Sequence, residues 1–266
     1  MSGESQESGM MKDKVVLITG ATGGIGSAAA RLFALHGAKL AVQSTSETKL
    51  AALKASLGLS DDRFAGFVLD VSDESAMEGM VKCTVAKYGK LDMMINNAGY
   101  GGAAKSIMNL TAEEFRNVLN VNVFGVFYGL KHGLRQMKTQ GYGSIVNTAS
   151  ITALYSGGGV LCDYVASKHA VLGLTRSAAI EAIKFGVRVN AVAPGPVDDR
   201  MMRALELAVG GVGGAEAARK ELVKNIPDKR YATTEDIANG IFFLASDEAS
   251  HIVGFVLAID GGELIA

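Results

Sequence analysis

Val15-Val-Leu-Ile-Thr-Gly-Ala-Thr-Gly-Gly-Ile-Gly-Ser-Ala-Ala-Ala30 runs from an aliphatic stretch through four glycines into an alanine-rich one. The aliphatic residues read as a buried strand and the alanines as a helix, so the glycines occupy a strand-to-helix turn. In such a turn Gly20 allows the tight reversal, Gly24 lets backbone approach a pyrophosphate, and Gly26 lets the helix pack closely on the sheet. The helix start adds free N–H groups and partial positive charge, which suit an anion. A glycine cluster alone fits an ordinary flexible turn equally well; the strand before it and the helix after it favour the phosphate reading.

Outward from this turn the chain keeps the same rhythm. Apolar runs at 15–19, 39–43, 64–69, 91–96, 144–148, 187–192 and 253–259 alternate with helical stretches at 25–36, 47–57, 73–88, 111–137, 163–185 and 234–245. Several runs are apolar without alternation, as in strands covered on both faces, and the intervening segments are long enough for crossover helices. The expected fold class is therefore α/β: a doubly wound parallel sheet of about seven strands with helices on both faces. Residues 1–11 read as a disordered polar tail and 12–266 as a single domain. Within that domain, 198–229 breaks the rhythm and is expected to form a substrate lid, with the glycines at 210–214 as hinge or breaker.

Composition narrows the function. The 26 Lys+Arg nearly balance 27 Asp+Glu and 48% of residues are apolar, so the chain is neither disordered in character nor marked for nucleic acid or an anionic membrane. No apolar window reaches the roughly 18 residues that span a bilayer. Two distant cysteines read as reduced thiols and the opening residues as no targeting signal, so a cytoplasmic protein is expected. The four histidines, His36, His132, His169 and His251, share no metal-ligand spacing, and no metal is expected. The 33 glycines, against a usual share of roughly 7%, gather where backbone is expected to meet ligand.

Two further patterns bear on chemistry. The second strand ends in Gln43-Ser44-Thr45-Ser46, where an acid would hydrogen-bond an adenosine ribose and repel a 2′-phosphate; hydroxyls without an anion favour NADP over NAD, with NAD possible. No Arg or Lys stands in this turn. Tyr164 and Lys168 lie four residues apart near a helix start and so share a face. A cation beside a tyrosine favours phenolate, which proton transfer near neutral pH requires.

Thr19-Gly-Ala-Thr-Gly-Gly-Ile-Gly26, Asn96-Asn-Ala-Gly99, Asn122 in Val121-Asn-Val-Phe-Gly125, Ser150, Tyr164-Val-Ala-Ser-Lys168, Pro194-Gly195 and Asp260-Gly-Gly262 together resemble the short-chain dehydrogenase/reductase family, in order from Lys12 to Ala266. The resemblance implies a hydride exchanged between NADP(H) and a carbonyl or secondary alcohol. In that scheme Ser150 polarises the carbonyl and Tyr164 handles the proton. Lys168 binds the nicotinamide ribose and lowers the Tyr164 pKa, and Asn122 holds a relay water. It further implies a cofactor bound by Gly20, Thr22, Gly23, Gly24, Ile25, Gly26, Ser44, Thr45, Ser46, Asp70, Val71, Asn97, Ala98, Gly99, Tyr164, Lys168, Pro194, Gly195 and Val197. A homotetramer acting on a small molecule is also implied, built through the helices at 111–137 and 163–185.

The chain departs from the family pattern in three places. Asp199 stands where the family often has Thr, a glycine-rich loop runs from Tyr155 to Val160, and Ala232 and Thr234 replace Gly and Pro. Alternatives are a 3-oxoacyl-carrier-protein reductase, a catalytically silent nucleotide-binding sensor or scaffold, and a non-redox lyase or isomerase.

Overall fold

The apolar runs become seven strands in the computed structural model, which describes residues 9–155 and 159–266. They are β1 (Val15–Ile18), β2 (Lys39–Ser44), β3 (Phe64–Val68), β4 (Met93–Asn96), β5 (Gly143–Thr148), β6 (Val187–Pro194) and β7 (Val256–Ile259). All pair in parallel in the order β3-β2-β1-β4-β5-β6-β7, so the direction of winding reverses between β1 and β4. That reversal opens a crevice at the carboxyl ends of the central strands, where α/β sheets bind their ligands.

The strands are joined by α1 (Gly24–Leu35), α2 (Glu47–Leu57), α3 (Glu74–Tyr88), α4 (Ala112–Leu119), α5 (Gly125–Gln140), α6 (Cys162–Ala182), α7 (Arg200–Val209), α8 (Gly214–Lys224) and α9 (Thr234–Ala245). Sequence explains the ends: Thr111 with Glu114 and Thr233 with Asp236 form reciprocal capping boxes, and Asp73 caps α3. Every residue of β1, β4 and β6 is buried, as unbroken apolar runs require, whereas edge strand β3 alternates.

Two cores result. One gathers Phe33, Leu50, Leu53, Ile241 and Leu244 from α1, α2 and α9; the other gathers Met77, Met80, Leu130, Val171 and Leu172 from α3, α5 and α6 on the opposite face. Buried Arg188 locks the end of α9 to the sheet by donating to the carbonyls of Leu244, Ala245 and Ser246 and to Ser144 Oγ. Among the described residues no helix is long and apolar enough to cross a membrane.

Two expectations shift and a third gains detail. The helix expected over 111–137 is two helices separated by a π-turn, Asn120–Phe124, whose wider spacing buries Asn122 completely. The polar tail ends earlier than residue 11, because Met11 is buried under the first core and its N–H bonds His36 O; residues 1–8 lie outside the described residues. The 198–229 segment is a pair of helices, α7 and α8, with the glycine cluster forming the 3-10 turn Gly211–Gly213 between them. Ser156 to Gly158 of the second glycine-rich loop also lie outside the described residues.

Candidate active site

The glycine turn is held in place from three sides. Gly20 has a left-handed φ of 63°, and its N–H bonds Gln43 Oε1 at 2.8 Å. Gln43 in turn donates from Nε2 to Leu69 O at 2.6 Å, at the end of β3. Asn97 donates to Thr19 O and Gly20 O, while the N–H groups of Asn97 and Ala98 bond Thr19 Oγ1. Gln43 was not among the expected site residues; being buried and polar in an otherwise apolar strand was its one signal.

α1 begins without a capping side chain and without an acid in its first turn, so its leading N–H groups are open to an anion. A dinucleotide phosphate fits this end. At the β2 end, Ser44 Oγ bonds Thr22 Oγ1 at 2.7 Å and accepts the Ser46 N–H, and Ser46 itself caps α2. Thr45 is left exposed between them, so the expected trio of hydroxyls is partly committed to shaping the turn. Asp70 is exposed and turns its carboxylate onto the Ser72 N–H and hydroxyl, while buried Val71 packs where a Cβ at Gly125 would meet it. Pro194 ends β6, Gly195 N–H bonds Ile259 O, and buried Val197 bridges to Ala232.

Across the crevice lie the expected chemical residues. Ser150 is buried at the end of β5, its Oγ accepting the N–H and hydroxyl of Thr152. Lys168 Nζ donates to Thr148 O at 2.8 Å and sits 5.5 Å from the Tyr164 ring centroid. Burial pushes the Tyr164 phenol up to about 12; its hydrogen bond with Ser150 opposes this and the Asp199 charge adds to it. Desolvation is the largest influence on this phenol, ahead of any neighbouring charge.

Burial alone draws Lys168 down to about 8 from an ordinary value of 10.5. The unfolded chain then holds the proton more tightly, so this group's contribution to stability rises with pH between about 8 and 10.5. Wild type minus Lys168→Met stability is expected to increase by about 2 kcal/mol between pH 7 and 9.5 in urea unfolding; a pH-independent difference would contradict the burial of a charged ammonium.

Asn122 Oδ1 accepts the Tyr100 N–H at 2.7 Å, and its Nδ2 donates to Tyr100 O and Ser167 Oγ. The π-turn thereby pins the loop after β4 beside Lys168. Asp163, fully buried one residue before Tyr164, has one oxygen on the Tyr164 N–H and one without a partner, against Gly102. From the other side α7 crosses the crevice: a Cβ at Gly101 would lie 3.3 Å from Met201 Cγ. Met201, expected to belong to the lid, thus lies close to the loop after β4.

The family model described as Enoyl-(Acyl carrier protein) reductase matches residues 20–263. Levodione reductase of Leifsonia aquatica is 38% identical over 272 residues, covering 100% of both chains. The crystal structure of levodione reductase superposes with a TM-score of 0.92 at 39% identity, covering 96% of this chain and 99% of that one. The structure of NAD+-bound xylitol dehydrogenase gives 0.89 at 34% identity, covering 95% and 99%. That of ElxO with NADP bound gives 0.87 at 33%, covering 96% and 100%. Agreement along the whole chain, in sequence and in fold, places this protein in the short-chain dehydrogenase/reductase family of NAD(P)-dependent oxidoreductases.

Proposed function

We propose that the protein reduces a carbonyl to a secondary alcohol, and catalyses the reverse, with NADP(H) preferred over NAD(H) and Tyr164 as the proton donor. The observation that carries this reading is the gathering of Ser150, Tyr164 and Lys168 across one crevice from the open end of α1. A nicotinamide dinucleotide bound there supplies or accepts the hydride. Ser150 and Tyr164 hold the substrate oxygen by hydrogen bonds that strengthen as negative charge develops on it. The Tyr164 proton passes to that oxygen, and the Lys168 ammonium beside the ring stabilises the phenolate left behind.

NADPH and NADH oxidation against ketones, aldehydes and 3-oxoacyl thioesters tests the reading. Turnover of a carbonyl supports it, and preference for a carrier-linked thioester would assign the 3-oxoacyl reductase activity. NADPH binding without oxidation by any carbonyl would favour a silent nucleotide sensor. The cofactor preference has its own test, because Ser44 closes β2 against the glycine turn. An acid there repels a 2′-phosphate, so Ser44→Asp is expected to lower the NADPH-to-NADH ratio of kcat/KM by at least about tenfold. An unchanged ratio would place the 2′ position elsewhere.

The homotetramer rests on small outward residues of α6, with Ala166, Gly173 and Ser177 exposed, and on exposed Phe124 and Phe127. A monomeric mass in light scattering would count against it.

A further inference from the structure

Two adjacent acids before α7 differ in their surroundings. Asp198 is neutralised by two guanidiniums, those of Arg203 and Arg219, the latter at 2.7 Å. Asp199 has no ion-pair partner among the described residues. One of its oxygens caps α7 by accepting the Met202 N–H at 3.1 Å. The other faces the phosphate-binding end: a Cβ at Gly24 would lie 3.1 Å from Asp199 Cβ and 3.4 Å from its Oδ2. Two residues on, Met201 Cγ lies 3.3 Å from where a Cβ at Gly101 would stand, and the next residue, Gly102, packs on Asp163, which precedes Tyr164; the Asp199 charge raises the Tyr164 phenol accordingly. Asp199 therefore stands between the open end of α1 and the proton donor.

A dinucleotide with its phosphates at α1 and its reacting ring at Tyr164 must pass this carboxylate. The phosphates are the same in both redox states, so their repulsion from Asp199 does not distinguish them. The nicotinamide ring does differ, carrying one positive charge when oxidised and none when reduced. We propose that Asp199 discriminates between the two redox states of the cofactor, holding the oxidised form more tightly and making the bound reduced form a stronger hydride donor. This rests on the dinucleotide reading above.

The balance of the reaction agrees: carbonyl, NADPH and a proton give alcohol and NADP+, so holding NADP+ more tightly pulls the bound reactants toward alcohol. One screened charge acting on one form of the ring and not the other is expected to give roughly a tenfold preference, which lowers the potential of the bound couple by about 30 mV.

Dissociation constants of NADP+ and NADPH, measured by calorimetry for wild type, Asp199→Asn and Asp199→Thr, test this. Asn and Thr both retain a helix cap while removing the charge. The ratio Kd(NADPH)/Kd(NADP+) is expected to fall about tenfold in both variants. A ratio that moves less than twofold in both overturns the proposal. Wild-type protein that binds neither dinucleotide overturns the functional reading and this inference with it; binding of both with an unchanged ratio in the variants overturns the inference alone.

Discussion

Tyr164→Phe is expected to lower kcat by about 1,000-fold while leaving NADPH affinity within about threefold of wild type. The substitution removes one oxygen and keeps the ring over which Lys168 Nζ sits. What disappears is the proton donor to the substrate oxygen and the partner of Ser150. The Lys168 bond to Thr148 O is untouched by the change. Single-turnover oxidation of bound NADPH reads the loss directly, and fluorescence titration reads cofactor affinity separately. Turnover retained within tenfold of wild type would remove Tyr164 from the mechanism.

Gly26→Ala is expected to cost about 2–3 kcal/mol of folding stability and at least about a hundredfold in NADPH affinity. An added Cβ would stand 2.2 Å from Gly20 O, 2.8 Å from Asn97 Nδ2 and 2.9 Å from Ala21 Cα. None of these is the loose end of a flexible side chain: Gly20 is fixed by its bond to Gln43, and Asn97 by its bonds to the turn. The helix must therefore retreat from the turn, carrying its open N–H groups away from the phosphate position. Gly79→Ala in α3, where a Cβ meets nothing within 4 Å, is the control and should be neutral or stabilising. Urea unfolding and NADPH titration check both variants, and a Gly26→Ala protein that binds NADPH like wild type would show that the turn is more forgiving than its contacts indicate.

The strands were legible because burial on both faces leaves an unbroken apolar run, and the pairing of Tyr164 with Lys168 because a four-residue helical spacing survives any tertiary detail. The π-turn was not legible: one extra residue in a turn changes no residue type, and what selects it is the grip of Asn122 on Tyr100, 22 residues earlier. Met11 follows a polar opening and looks like tail until β1 and α1 supply a surface to cover. Ser44 and Ser46 were legible as hydroxyls near a ribose but not as parts of the turn, since their partners Thr22 and Lys49 become neighbours only on folding. Asp199 stood out as a departure from the family pattern, and only the fold brings it to Gly24.

The Gln43 amide joins two parts of the crevice that the chain itself separates. Its oxygen takes the N–H of Gly20 and its nitrogen reaches Leu69 O, so the phosphate turn and the loop leaving β3 behave as one rigid body before anything binds. A carboxylate in its place would lack the donor and an ammonium the acceptor. The loss of chain freedom that a ligand would otherwise impose on two glycine-rich and serine-rich segments is met during folding, which leaves more of the contact energy to appear as affinity.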